Sequence, residues 1–440
     1  MRKMILLLST VCLFGLYSAE IKIKENGLTE YKLSSASSYG FDMEFSLADI
    51  KYSNISTEKG EFIQISFDRS KNSNTVGAPK LPVLRELIEF PASSIPEIEI
   101  LSVVEKELFL EDLGISDKII PAQPSYSKST PPSEIKFIIN ESSYEINSYP
   151  EENIAEITKS GNMRGSDVGV LEIRPVSYNP VRNSIKVLTD IKIRVSFSSV
   201  KSDPEITKAS HYSPFFENQF SKFINHFPST SKADLTRYPV TYLIVANEIL
   251  TGNAKLQEFI DWKTEKGFNV ITQFFPSTAT TATIDTWIEN QYASLSPKPT
   301  FLLIIGDQAG TYVIPTEQNP PLGSAGSVSV SDLLYSVIGA TSSTNRIPSI
   351  YVGRFSVNNL TDLDAQINKT LWYEKYQFDT GLNPGQDFTY LSRVMGVSGV
   401  DASYAATYGN PQIRYGMSYY FNDNYRIPLD GSGVNITGIP

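Results

Sequence analysis

The hydrophobic pattern of this chain changes its period once, near Arg237, and that change limits the folds open to it more than any single motif does. Before the change, apolar residues tend to recur at every second position. Phe62, Ile63, Ile65 and Phe67 partly alternate with polar neighbours, and Ile98, Ile100, Val103 and Val104 lie in another β-prone run. Ile185 and Val187, then Ile191, Ile193, Val195 and Phe197, keep a strict period of two, with Thr189-Asp190 reading as the turn of a closing hairpin. Successive side chains of a strand point to opposite faces, so this alternation marks strands with one buried and one wet face, as in antiparallel sandwiches. Residues 20–198 are therefore predicted to form an all-β, sandwich-like domain.

Beyond Arg237, residues 240–246 form a nearly uninterrupted apolar run, the pattern of a strand covered on both faces. Leu256, Phe259, Ile260 and Lys263 follow at helical spacing, and Gly267 stops that helix just after Lys266. Ile284, Trp287, Ile288 and Tyr292 predict a second helix, and residues 301–305 and 350–355 predict two more buried strands. Thr361 and Asp364 resemble a capping box for a helix carrying Leu363, Ile367 and Leu371, and a fourth strand is predicted over 388–397. Strands alternating with helices specify a parallel sheet with helices on both faces. Between the two regions, 199–237 reads as a connector. Ser213-Pro214 predicts a helix start, with Phe215, Phe216, Phe220, Phe223, Ile224 and Phe227 on one face and Pro228 as its end. Residues 229–237 are polar and unpatterned, the kind of stretch where proteolysis concentrates.

Arg2 and Lys3 precede an apolar run over 4–17 and small residues at Ser18 and Ala19. The run is too short to span a bilayer, so 1–19 reads as a secretory signal peptide, and the mature chain is expected to be exported without a transmembrane segment. Cys12 is the only cysteine and would leave with the signal, so residues 20–440 hold no disulfide and no thiol nucleophile. The only histidines, His211 and His226, fall in the connector and read as solvated or satisfied side chains. A Cys-rich zinc site is excluded, and any metal would be a hard cation on carboxylates and carbonyls. The net charge of -10 argues against nucleic acid as a partner.

In parallel sheets, ligands meet the carboxyl ends of the strands. Those ends read Gly306-Asp307, Gly353-Arg354 and Gly399-Val400-Asp401. An Asp just past a strand commonly serves an Asx-turn or helix cap, and Arg354 reads more plainly as the partner of a local carboxylate. No Walker loop or His-Glu-x-x-His run is present, residues 246–252 lack the glycine pattern for a pyrophosphate, and 323–329 reads as a surface loop. The α/β part has no His to activate its Ser and Thr residues. Composition and spacing thus reach an exported α/β domain but no mechanism.

Longer blocks go further. Phe259-Ile260-Asp261-Trp262-Lys263 with Lys266-Gly267-Phe268, Phe301 through Asp307, and Ser331-Asp332-Leu333-Leu334-Tyr335-Ser336 come first. Val352-Gly353-Arg354-Phe355, Tyr373-Glu374-Lys375, Gly399-Val400-Asp401 and Ile413 through Tyr420 follow. In this order they resemble the gingipain family of secreted cysteine peptidases, in its lysine-specific form. The β-rich part resembles that family's propeptide through Gly77-Ala78-Pro79-Lys80-Leu81-Pro82-Val83 and Arg174 through Pro180.

The resemblance implies a caspase-like sheet carrying a Cys nucleophile, a His base and a carboxylate that orients the imidazole. Asp401 matches that carboxylate, and Arg237-Tyr238 resembles the maturation junction. The implied organisation is a signal peptide at 1–19, a latency propeptide at 20–198, a connector with the maturation site at 199–237, a first peptidase subdomain at 238–390 and the start of a second, catalytic one at 391–440. In the family the His and Cys lie downstream of the Asp401 block. The expectation is therefore an incomplete precursor whose α/β domain stops before its nucleophile, inactive as it stands. Protein or peptide substrates are implied, with the propeptide as an intramolecular inhibitor and no cofactor for the chemistry. The family often carries structural calcium, at positions this sequence does not give. The alternative is a non-enzymatic secreted scaffold or type IX secretion accessory protein with a peptidase-like domain.

Overall fold

The alternating pattern folds into three small sheets. The computed structural model describes residues 19–126, 130, 134–226, 239–318, 330–339, 346–375, 396 and 409–420. In the first sheet the strand order is Ala19–Lys22, Asp49–Thr57, Gly60–Ser66, Lys118–Ile119. The second runs Ala155–Met163, Ser166–Ile173, Pro82–Pro91, Lys71–Asn72. The third runs Val176–Asn179, Ser184–Ser198, Gly40–Ser46, Glu30–Ser37, and Ile95–Phe109 also pairs along Ser184–Ser198. Pairing is antiparallel except between Gly60–Ser66 and Lys118–Ile119. One hydrophobic cluster draws on all three sheets, with Ile50, Ile63 and Ile65 from the first, Leu84, Ile88 and Leu171 from the second, and Met43, Ile185 and Ile193 from the third.

Two local expectations are corrected here. Thr189-Asp190 is not a hairpin turn, because Ser184–Ser198 is one 15-residue strand with a bulge at that point. The partner Ile95–Phe109 pairs on both sides of the bulge, and Lys24 Nζ holds the Asp190 carboxylate at 2.6 Å. Long-range pairing overrides the turn chemistry of the dipeptide. The described part of the connector, residues 199–226, holds two helices where one was predicted. Pro204–His211 is a helix capped by Asp203, whose carboxylate accepts from Glu205 N and Ile206 N. The helix starting at Pro214 ends at Phe220, not at Phe227. The chain turns back because Ile224 N donates to Leu87 O, while the Asn225 side chain accepts from Glu89 N (3.0 Å) and donates to Glu89 O (2.7 Å). Phe216 and Phe223 pack with Met163 and Val168 of the second sheet.

The α/β region is a four-stranded, all-parallel sheet in the order Asn269–Phe275, Thr241–Asn247, Phe301–Ile305, Tyr351–Phe355. Helix Thr281–Ser294 lays Ile284, Ile288 and Tyr292 against Leu243, Val245, Leu302 and Ile304. The alternate residues Ile244, Ala246, Leu303 and Ile305 are buried too, which is why these strands read as continuous apolar runs. The strand Asn269–Phe275 escapes the sequence pattern, since Thr272 and Gln273 interrupt its apolar residues at the sheet edge. The strand predicted over 388–397 lies outside the described residues apart from Gly396.

A smaller compact unit contains residues 252–262 of helix Ala254–Glu265 and helix Leu360–Glu374. Lys255 Nζ donates to Asn368 Oδ1 at 2.9 Å, and Trp262 Nε1 to Glu374 Oε2 at 3.0 Å. The capping box sits two residues before the predicted one. Asn359 accepts from Asp362 N, and Asp362 accepts from Asn358 N and the Asn359 amide. Gly267 ends helix Ala254–Glu265 as expected, at a φ of 89°, with Phe268 N donating to Lys263 O. Among the described residues no helix is long and apolar enough to cross a membrane.

Candidate functional site

The carboxyl edge of the parallel sheet is closed by a brace of polar side chains. Gly306 leaves strand Phe301–Ile305 at a φ of 149°, and a Cβ there would lie 2.5 Å from Tyr312 O, so the position requires glycine. The chain then folds back on itself: Asp307 N donates to Tyr312 O at 3.0 Å and Ile314 N to Asp307 O at 2.8 Å. The Asp307 carboxylate accepts from Gln308 N at 2.7 Å, the turn-stabilising role that Asp commonly takes past a strand.

Arg354 supports this turn from the neighbouring strand. Its guanidinium donates to Gly306 O and Ile314 O, both at 2.9 Å, and forms a two-pronged pair with Asp332 at 2.8 and 2.7 Å. The plainer expectation for Arg354, pairing with a carboxylate, is what the structure has, although the partner is 22 residues away in sequence. Asn247, at the end of the central strand and fully buried, completes the brace. It donates to Val313 O (2.9 Å) and Ser277 Oγ (3.0 Å) and accepts from Ile249 N (3.1 Å). Asn247 went unpredicted, although a polar residue closing an apolar strand was its visible signal. The rim is thus preorganised but carries no nucleophile–base pair among the described residues.

The histidines do not supply a base. His211 Nδ1 lies 2.9 Å from Thr207 O and 3.0 Å from Ser210 Oγ, and burial lowers its pKa. His226 is held between Glu89 (Nδ1, 2.8 Å) and Glu217 (Nε2, 2.8 Å). Both are satisfied side chains, as expected. Asp401, Arg237 and Tyr238 lie outside the described residues, as do Gly399 and Val400. Among the described residues no group of three or more His, Cys, Asp or Glu is placed to hold a metal.

Asp285, on helix Thr281–Ser294, has one carboxylate oxygen buried without a partner, and its pKa is pushed up to about 6 by burial, with Glu289 and Glu317 adding to the effect. Because the folded pKa lies above the unfolded one, the native state binds this proton more tightly. Stability therefore declines as pH rises from about 4 to about 6, and the penalty is complete above that window. Asp285→Asn is expected to stabilise the sheet by about 1–2 kcal/mol at pH 7.5, allowing for half-burial, and to change little at pH 4. Denaturant midpoints at the two pH values check this; equal gains at both would show that the carboxylate charge is not the cause.

The description "Propeptide_C25" matches residues 31–228 and "Peptidase family C25" matches residues 235–426. A Lys-gingipain of Porphyromonas gingivalis is 31% identical over 436 residues, 97% of this chain. The chain belongs to the gingipain family. It spans about a quarter of that relative's length, 24%. Gingipain R2 of the same organism is 23% identical over 88% of this chain and 49% of its own length. A solved structure described as giving insight into the zymogenic latency of gingipain K from Porphyromonas gingivalis is 32% identical. It covers 41% of this chain and 98% of its own, with a TM-score of 0.39. The two matched segments meet within 229–234, in the polar stretch just before Arg237.

Proposed function

We propose that this chain is the leading part of an exported, gingipain-like cysteine endopeptidase precursor that hydrolyses peptide bonds with a Cys–His dyad. The observation that carries the reading is the succession of a C25 propeptide and a C25 peptidase segment along one chain, with 31% identity to a Lys-gingipain across both. In this reading 1–19 is the signal, the β-rich segment is the latency propeptide and Arg237-Tyr238 is cut on maturation. The parallel sheet from 238 onward is the first, caspase-like part of the peptidase. Asp401 orients the base, fixing the imidazole tautomer and stabilising the imidazolium formed with the thiolate. No cofactor takes part in the chemistry; any calcium is structural. Cys12 is the sole cysteine and both histidines are engaged elsewhere, so the reaction is assigned to a protein that includes the dyad, not to residues 20–440 alone.

The test is made on a longer precursor containing such a cysteine, assayed on protein and peptide substrates. Thiol-dependent activity that appears after cleavage at Arg237 is expected. Asp401→Asn should slow turnover by on the order of 10² with an unchanged unfolding midpoint. Wild-type turnover in that variant would remove Asp401 from the mechanism. Complete absence of thiol-dependent hydrolysis would favour a non-enzymatic secreted scaffold.

A further inference from the structure

Arg164 is an arginine that the β-rich segment buries in the α/β segment. It sits with Gly165 in the two-residue turn joining Ala155–Met163 to Ser166–Ile173, both residues at positive φ (47° and 79°) as such tight hairpins require. A turn-tip arginine is ordinarily solvated, yet Arg164 is 2% exposed. Its Nε donates to His211 O at 2.7 Å, Nη1 to Pro299 O and Ser349 O at 2.8 Å each, and Nη2 to Lys298 O at 3.3 Å. Its backbone N–H donates to Ser349 Oγ at 3.0 Å, and its guanidinium lies 4.8 Å over the Phe216 ring. Among the described residues no carboxylate pairs with it. The charge is met instead by carbonyl dipoles, one of them at the carboxyl end of helix Pro204–His211, where a cation is favoured.

Lys298, Pro299 and Ser349 all precede strands, Phe301–Ile305 and Tyr351–Phe355 respectively, so Arg164 docks at the amino edge of the sheet. Helix Pro214–Phe220 reinforces the same edge. Phe216 stacks on Tyr351 at 4.2 Å, Phe215 meets Phe301 edge-on at 4.8 Å, Tyr351 Oη donates to Phe215 O, and Thr300 Oγ1 donates to Ser213 Oγ. Asn247, Gly306 and Arg354 mark the opposite, carboxyl edge, where this fold places its chemistry.

We propose that the Arg164 turn and helix Pro214–Phe220 form an anchoring surface for the amino edge of the sheet. After the connector is cut, this surface keeps the propeptide bound independently of anything that occupies the carboxyl edge. The inference rests on the reading of 229–237 as the stretch cut on maturation. An arginine fits the site where a lysine would not, because four carbonyls converge on a planar fork with fixed donor directions.

The experiment uses the 440-residue chain with a recognition site for an exogenous protease inserted in 229–236, cut after folding. Retention of the two pieces is followed by size-exclusion chromatography on dilution. The uncut-control elution position should persist for the cut wild type. Arg164→Ala and Arg164→Lys should each weaken retention at least about 100-fold, and Tyr351→Ala, which approaches the interface from the peptidase side, about tenfold. If Arg164→Ala does not fold, Arg164→Lys and Tyr351→Ala carry the test. Wild-type pieces that separate on cutting, or folded variants that hold as tightly as wild type, overturn the anchor. The readout needs no peptidase activity, so a longer precursor without thiol-dependent hydrolysis would end the functional reading and leave the anchor standing.

Discussion

Arg354→Ala should lower the stability of the parallel sheet by about 3 kcal/mol or more, and Arg354→Lys should recover little of the loss. The Arg354 side chain is 13% exposed and that of Asp332 21%, so neither is screened as a surface pair would be. Alanine leaves Asp332 with a half-buried, uncompensated charge, and it strips donors from Gly306 O and Ile314 O in the same step. Lysine restores the charge but brings a point cation in place of a fork that must serve one carboxylate and two carbonyls at once. Chains of this length commonly unfold in more than one step, so the measurement is amide exchange of residues 302–305 and 313–314, read against the exchange of residues 191–195 as an internal reference. Combining Arg354→Ala with Asp332→Ala should cost about 1–3 kcal/mol less than the sum of the two single changes, because the stranded charge is removed with its partner. Additivity within about 0.5 kcal/mol would mean that the pair is incidental to the turn it touches.

That brace shows how far the sequence could be read. The glycine and the charge after strand Phe301–Ile305 were visible because a sharp exit from a parallel strand selects glycine, whereas Gly353 and Arg354 lie within strand Tyr351–Phe355, not past its end, and Gly399 and Asp401 lie outside the described residues. The reading of Arg354 as an ion-pair partner agrees with its pairing to Asp332. Which carboxylate would meet it was not visible, since Asp332 lies 22 residues away and only the fold brings the two together. The same limit explains the misplaced hairpin at Thr189-Asp190. Local turn propensity is a matter of a few tenths to one kcal/mol, whereas Ile95–Phe109 pairs along the full length of Ser184–Ser198. Helix Pro204–His211 carried a sequence signal, Asp203 before Pro204, but too little apolar periodicity to announce itself. Arg164 carried none. In sequence it is one basic residue in a Met-Arg-Gly-Ser turn, and its burial comes entirely from segments 47 to 185 residues distant.

The connector's tie to the β-rich segment should be pH-dependent, and Glu89 should control it. Glu89, with a side chain 3% exposed, receives Lys208 Nζ and His226 Nδ1, each at 2.8 Å, on one oxygen, while its other oxygen is buried without a partner. His226 Nε2 faces Glu217 at 2.8 Å, so both ring nitrogens point at carboxylates and the doubly protonated imidazolium is the form that satisfies them. Burial alone would lower the His226 pKa, but the hydrogen bonds and charges of Glu89 and Glu217 outweigh it and the net shift is upward. A raised folded pKa gives stability that is complete below the unfolded value of about 6.5 and is lost as pH climbs through the folded one. Protection of the Ile224 amide, which donates to Leu87 O, should therefore fall as pH rises above about 6.5, after correction for intrinsic exchange. Glu89→Gln should cost about 3 kcal/mol at pH 6, because it removes the carboxylate that Lys208 pairs with among the described residues and half of the His226 clamp. It should also flatten the pH profile, and His226→Gln should flatten it at a smaller cost. A wild-type profile already flat from pH 6 to 9 would mean that His226 is neutral in the folded protein. Because helix Pro214–Phe220 carries both Glu217 of this clamp and Phe216 of the stack, loss of the clamp should also increase the opening of the Phe216–Tyr351 stack. Tyr351 ring exposure at pH 9, compared between wild type and Glu89→Gln, then separates two cases: equal exposure if protonation holds the helix down, and greater exposure in the variant if Lys208 alone suffices.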